Sequence, residues 1–366
     1  MKFCFLFLFV NVIYNSDATF CGCKAVRETY EKMLKELTEE GEVECVSDAS
    51  IGSSTVWVFL AALRQYSELL LTVKSDDLTF EGRYLHEVVL NIPRDKPEEE
   101  DSKPIIVLEA GQEGGVEPVG FALYIIEQLL GCKENEDMLK TVKWVILPCT
   151  NPDAMEYGRW SEATQLRLWR KNRRKLEEKG CIGVDVSRNF DTNWGACPKV
   201  ENAFSSVYPG KSPSSENETI FVKQVLEKYK RHIKAYVSIR RNGHAILYPY
   251  AHAKNLHTDA QLEGAAADIT AKVNQRAGTV HLFSNTSIFE FEDKARCGHS
   301  VDYAHSLGIP LSYEMRVFLG SENHILSKFQ TLPRGYENTL RMGYYNGIRE
   351  LYNIVAKERQ YGKNKL

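Results

Sequence analysis

The sequence predicts an α/β protein whose mostly parallel central sheet is covered by helices on both faces. Three observations predict this. The chain has 366 residues, 43 % of them hydrophobic, enough for one large core or at most two domains. Apolar runs of strand length alternate with longer segments of helical period, the pattern of strand–helix–strand crossovers. No internal repeat or low-complexity block interrupts that alternation.

The elements follow in chain order. Lys2 precedes an apolar run that ends near Tyr14, and Asn15, Ser16, Asp17 and Ala18 follow it. That layout predicts a secretory signal peptide over residues 1–18, and hence a secreted, extracellular protein. The run is too short to span a membrane, and no later run is long enough, so no membrane span is expected. Residues 19–49 are polar and helix-prone, a short leader rather than a domain. The main domain is expected over residues 50–357, with a basic tail over 358–366. Trp57–Tyr66 reads as an amphipathic helix. Strands are expected at Glu87–Ile92, Pro104–Glu109, Val142–Leu147, Ile233–Ile239 and Ile309–Met315. Helices are expected at Gly120–Leu130, Glu216–Arg231, Ala260–Gln275 and Tyr336–Ala356. The acidic segment Pro97–Pro104 reads as a surface loop.

The net charge of −3 lacks the basic surplus of a nucleic-acid binder. The local run Arg170, Lys171, Arg173, Arg174 and Lys175 reads as a solvated helix end. Beyond Cys4 in the signal, Cys21, Cys23, Cys45, Cys132, Cys149, Cys181, Cys197 and Cys297 form an even set, which in an exported chain predicts disulfides of open pairing. Cys21-Gly-Cys23 is one residue short of the usual zinc spacing. Asn217-Glu-Thr219 and Asn285-Thr-Ser287 are glycan acceptor motifs.

Seven segments then occur in a telling order: Phe80-Glu-Gly-Arg83, Thr150-Asn-Pro-Asp153, Leu168-Trp-Arg-Lys-Asn-Arg173, Gly183-Val-Asp-Val-Ser-Arg-Asn-Phe190, Tyr208-Pro-Gly210, Ser238-Ile-Arg-Arg-Asn-Gly-His-Ala-Ile-Leu-Tyr-Pro-Tyr250 and Ser312-Tyr-Glu-Met-Arg316. Together they resemble the zinc carboxypeptidases of the A/B type over roughly residues 50–357. The resemblance implies a three-layer fold around a mixed, mostly parallel sheet. It also implies a site in which two His and one Glu hold zinc, which polarises the scissile carbonyl of a peptide's last bond and activates water. The family's inhibitory prodomain has no counterpart expected here, because roughly thirty residues separate Ala18 from the first matching helix, too few for a domain.

Carried over residue by residue, the resemblance assigns the oxyanion arginine to Arg170 and the proton-shuttling glutamate to Glu314. It assigns the carboxylate-binding arginine to Arg188, with Ser187 where the family has Asn, and side-chain preference to Val301. The mobile tyrosine has no clear counterpart, with Phe289 or Lys294 standing in its stretch. The zinc positions diverge. Glu113, Val116 and Arg240 fall where His, Glu and His are needed, and a one-residue shift substitutes Gln112 and Gly115. Arginine stays protonated and repels a metal ion, so no metal ligand and no cofactor is expected. His244, four residues after Arg240, reads as a polar residue lining the old cleft rather than a ligand. Arg240 and Glu113 are expected to pair in the former metal cavity, with Glu314 sharing Arg240 or Arg241. The expectation is a pseudopeptidase that binds peptide C-termini or small anions. The alternatives are an active enzyme with unusual zinc ligands and, more remotely, a metal-free hydrolase using Glu314.

Overall fold

The computed structural model describes residues 51–66, 71–159, 169–178, 180–254, 259–278, 282–318 and 336–363. The signal and leader segments expected at 1–18 and 19–49 lie outside these, as do Cys21, Cys23 and Cys45.

The elements are α1 (Ser53–Tyr66), β1 (Leu71–Leu78), β2 (Tyr84–Leu90), α2 (Pro97–Asp101), β3 (Ile105–Ala110), α3 (Val116–Gly131), α4 (Glu136–Thr141), β4 (Lys143–Leu147) and α5 (Pro152–Arg159). There follow α6 (Asn217–Tyr229), β5 (Ile233–Arg241), β6 (Ala245–Tyr248), α7 (Ala260–Ala277), β7 (Ser284–Ser287), α8 (Ile288–Glu292), α9 (Ser300–Ser306), β8 (Leu311–Val317) and α10 (Tyr336–Lys363). The eight strands form one sheet in the order β1-β2-β4-β3-β5-β8-β6-β7. Its centre, β4-β3-β5-β8, is parallel. Antiparallel pairs flank it at β1-β2, β2-β4 and β6-β8, so the sheet is mixed.

The alternation along the central strands sorts the core into two layers. Ile106, Leu108, Val237, Ile239 and Met315 face one side and pack with Phe121, Ile126, Ile269, Tyr344 and Ile348 from α3, α7 and α10. Val107, Val145, Leu147, Tyr236 and Leu247 face the other and pack with Phe221, Val222, Leu226 and Ala304 from α6 and α9. Strands buried on both faces read as continuous apolar runs, which is why the sequence betrays them.

Several elements differ from expectation. The acidic segment is not a loop at its start: Pro97 opens the short helix α2, and Glu98, Glu99 and Glu100 crowd its first turn, where the helix dipole favours negative charge. β1, with the sequence Leu-Thr-Val-Lys-Ser-Asp-Asp-Leu, is an edge strand open to solvent along most of its length, so it lacks an apolar run. The four-residue strands β6 and β7 are too short for a periodic signal. α10 runs on through Lys363, past the expected tail boundary.

The cysteines also depart from a fully paired set. Cys197 and Cys297 form a disulfide across 100 residues of sequence, and Cys132 is disulfide-bonded. Cys149 and Cys181 are free, buried thiols that sit among apolar side chains and behave as small hydrophobes.

Candidate functional site

The carboxyl ends of β3, β5 and β8 meet at one rim of the sheet, the usual place for a site in a parallel sheet. Strand period fixes what they present. Ser238 and Arg240 share one face of β5, Glu314 and Arg316 share one face of β8, and the register sets Ser238 beside Glu314 and Arg240 beside Arg316. After β3 the chain turns through Gly111, Gly114 and Gly115, all at positive φ, which delivers Gln112 and Glu113 to the same spot. Gly115 is also required by space, since a Cβ there would lie 2.6 Å from Arg241 Cδ.

Glu113 is the hub. Its carboxylate meets Arg296 at 2.7 Å, Arg170 at 2.8 Å, Arg240 at 3.2 Å and Arg316 at 3.4 Å. Burial alone would raise its pKa. The charges of Arg170, Arg316, Arg296 and Arg240 outweigh burial and hold it well below the usual carboxylate range. Glu314 is the second hub. It accepts from Arg316 Nε, pairs with Arg240 at 3.2 Å and meets His299 Nε2 at 2.8 Å. Burial opposes its ionisation too, and Arg240, Arg316, His299 and Arg296 hold it well below the usual range. His299 Nδ1 accepts from Val301 N, so the ring's proton sits on Nε2 toward Glu314. Burial, reinforced by Arg240, lowers the His299 pKa to about 4, so the ring is neutral.

Arg240 joins the two hubs. Besides both carboxylates, Nη2 donates to Gln112 Oε1 at 2.9 Å and Ser300 Oγ at 3.1 Å, and Nε donates to Ser238 Oγ at 3.1 Å. A guanidinium carries five N–H donors in a rigid fork, and this one has a partner on every nitrogen. The expected Arg240–Glu113 pair is therefore present as part of a larger network. Arg241 does not join it at Glu314: its Nη2 donates to the Trp169 carbonyl at 2.9 Å.

The other expected residues fall into place around these hubs. Arg170, one-quarter exposed, bridges Glu113 and Asp185. The basic run it opens is not a solvated helix end, since Lys171 is buried with its ammonium on the Ala203 carbonyl and Arg173 stacks on Tyr157. Ser187 is fully buried, accepts from Arg170 and Arg296, and donates to Asp185 at 2.7 Å. Arg188 is held by Asp185 through Nε at 3.3 Å. Burial and the nearby Arg296 lower its pKa to about 10. Val301 is fully buried in the apolar layer beneath the site. Val116 begins α3 and packs on the opposite layer. Phe289 lies half-buried in α8, and Lys294 is exposed. His244 does not line the cleft. β5 ends at Arg241 and Asn242 turns at φ 61°, so strand parity fails to carry across, and His244 instead bonds Tyr344 OH at 2.7 Å against the Phe283 ring.

Sequence reasoning missed Arg296, Arg316, His299 and Asp185 as members of the cluster. Arg316 had a signal, being two residues from Glu314 on a strand. Arg296 and His299 sit in irregular chain, where no period points.

Five arginines, Arg170, Arg188, Arg240, Arg296 and Arg316, face four carboxylates, Glu113, Glu314, Asp185 and Glu292. Gln112 Nε2 and the Nε atoms of Arg170, Arg188 and Arg296 are buried without a hydrogen-bond acceptor among the described residues. The arrangement thus has spare donors and spare positive charge, and it suits an anion.

Comparisons with known proteins fix the family. Residues 57–341 match the zinc carboxypeptidase family model, and the chain belongs to that family. It is 31 % identical over 271 residues to zinc carboxypeptidase A 1 of Drosophila melanogaster, covering 71 % of this chain and 60 % of the relative. It is 29 % identical over 261 residues to carboxypeptidase B of Helicoverpa zea (68 % and 58 %). The matches span about three-fifths of these curated relatives' length. In fold it is similar to carboxypeptidase A from Helicoverpa armigera, with a TM-score of 0.74 at 23 % identity over 91 % of this chain and 81 % of that one. It is similar also to bovine thrombin-activatable fibrinolysis inhibitor, solved with a tick carboxypeptidase inhibitor, with a TM-score of 0.72 at 21 % identity over 84 % and 98 %.

The family implies zinc, and the residues at the expected ligand positions do not fit it. Glu113 is saturated by four guanidinium groups, Val116 has no donor atom, and Arg240 is a fixed cation. Among the described residues no group of three or more His, Cys, Asp or Glu side chains is placed to hold a metal ion.

Proposed function

We propose that this chain is an exported, non-hydrolytic member of the zinc carboxypeptidase family that binds anionic ligands, peptide C-termini above all, at its arginine cluster. The observation that carries the reading is the Arg240 guanidinium shared between Glu113 and Glu314. It places a permanent cation where the family resemblance calls for a ligand, and it takes the carboxylate of Glu314 out of service as a base. A general base works best with a pKa near the working pH, and Glu314 is held far below that. Arg170 and Arg188, the family's oxyanion and carboxylate arginines by position, remain to receive a carboxylate, supported by the unpartnered donors beside them.

The test is the zinc content of the purified secreted protein after dialysis against trace zinc, together with its release of C-terminal residues and its binding of a peptide with a free or amidated C-terminus. The expected result is no zinc, no release, and binding of the free acid alone. One zinc per chain with release of residues would overturn the reading in favour of an active enzyme with other ligands.

A further inference from the structure

The sheet has two open edges, β1 and β7, with no further strand beside either among the described residues. An open edge carries unpaired N–H and C=O groups, and a second copy of the chain can pair with them. The glycan acceptor motifs Asn217-Glu-Thr219 and Asn285-Thr-Ser287 bear on this. Both asparagines are exposed, and each stands at one of these edges.

The backbone sets the geometry at both. Thr79 N donates to the Arg83 carbonyl, so Thr79 bonds toward β2. Strand alternation turns the N–H and C=O of Leu78, which lies opposite Tyr84, the other way, to the open side. Asn217 Nδ2 meets that Leu78 carbonyl at 3.0 Å. At β7, Ser284 N donates to the His244 carbonyl, toward β6. The N–H and C=O of Asn285 therefore face the open side. The two edges are unequal. β1 carries Lys74, Asp76 and Asp77, charges that discourage pairing. β7 reads Ser-Asn-Thr-Ser, with no charge, and Leu282 shortly before it is 67 % exposed.

We propose that N-linked glycans on Asn217 and Asn285 shield the two edges of the sheet and keep copies of the chain from pairing edge to edge. This rests on the exported reading, because the sugar donor, a lipid-linked pyrophosphate oligosaccharide, is met on the secretory route. At each site a bond forms from Nδ2 to the sugar's C1 and the C1–O bond to pyrophosphate breaks. The pyrophosphate leaves with the electron pair, and the amide loses one proton. The second amide proton of Asn217 stays to hold the Leu78 carbonyl. Thr219 is fully buried and Ser287 Oγ accepts from Glu290 N, so both motifs are engaged by the fold and both transfers precede folding.

The test uses the full chain expressed in a secreting eukaryotic cell. Peptide mapping after amidase deglycosylation, which leaves aspartate at each former glycan site, reads the occupancy. Light scattering over a concentration series reads the association. The expected result is a glycan at both sites, and a deglycosylated protein whose average mass climbs with concentration while that of the intact protein does not. Asn285→Gln should shift the mass further than Thr219→Val, because β7 has no charges of its own. Thr219→Val removes the other motif and leaves Asn217 on Leu78, and Thr219 Oγ1 has no hydrogen-bond partner among the described residues to lose. Asn285→Pro lacks both the glycan and the open N–H, so it should behave as the intact protein does, with an unchanged melting temperature. A secreted chain bare at either asparagine overturns the proposal, as does a deglycosylated protein that does not associate. Association of Asn285→Pro equal to that of Asn285→Gln assigns the effect to lost solubility and overturns it too. A chain retained in the cytosol with residues 1–18 uncleaved instead overturns the export reading on which this one stands.

Discussion

Two ion-pair clusters in this molecule stand in opposite relation to the family resemblance. One lies at the rim, where three of the family-like segments meet. There Asp153, fully buried, takes Thr79 Oγ1 at 2.8 Å, the Glu81 amide at 3.1 Å and Arg83 Nη1 at 2.7 Å. Arg173 pairs with Glu81 at 3.2 Å and stacks on Tyr157, whose ring meets Trp169 edge-on. The other is the Glu113–Arg240–Glu314 cluster, built where the family-like pattern is broken. The first is built from segments that resemble the family's and joins loops; the second sits where the resemblance breaks and joins strand ends. The segments that reveal the family are thus largely ones that hold the fold, and a shared fold does not by itself fix the function of the central cluster.

The comparison can be broken most forcefully at Arg240. Arg240→Ala leaves two buried carboxylates short of a shared cation and should cost about 3–5 kcal/mol in chemical denaturation. A loss under about 1 kcal/mol would mean that Arg296 and Arg316 suffice and that the central cluster is no more than a surface-like network.

A second test uses acid. A buried His299 lowered to about 4 takes up a proton in the unfolded chain before the folded one. Stability must therefore fall as pH drops from about 6.5 to about 4, by about 3 kcal/mol from this group. His86, lowered to about 4 by burial, adds to the same slope. His299→Gln should remove part of it, and an unchanged slope would refute a neutral His299. Glu113 and Glu314 act in a different window: their folded pKa values are depressed, so their contribution persists above the unfolded carboxylate value and is lost only as pH falls through the folded ones.

The smallest effect belongs to the rim. Asp153→Asn keeps shape but turns a donor toward Thr79, Glu81 N or Arg83, and should cost about 2 kcal/mol with ligand binding at the cluster unchanged. Altered ligand affinity in that variant would show that the two clusters are not separate.

How much of this was legible varies with local physics. The parallel centre was plain because β3, β4, β5 and β8 are buried on both faces and read as apolar runs. β1 was invisible because its side chains meet water. The Glu113–Arg240 pair was legible as two charges misplaced in a metal pattern. Its size was not, because Arg296 and His299 reach it from irregular chain and Asp185 from a single short turn.

Arg240 also changes what the environment can do to the molecule. A bound ion has a dissociation constant, so its contribution to folding rises and falls with its free concentration. The cation between Glu113 and Glu314 is attached to the chain by covalent bonds, so it has no off-rate. Chelators, competing metals and dilution have no lever on it, and this end of the sheet keeps its central charge from the moment the strands close.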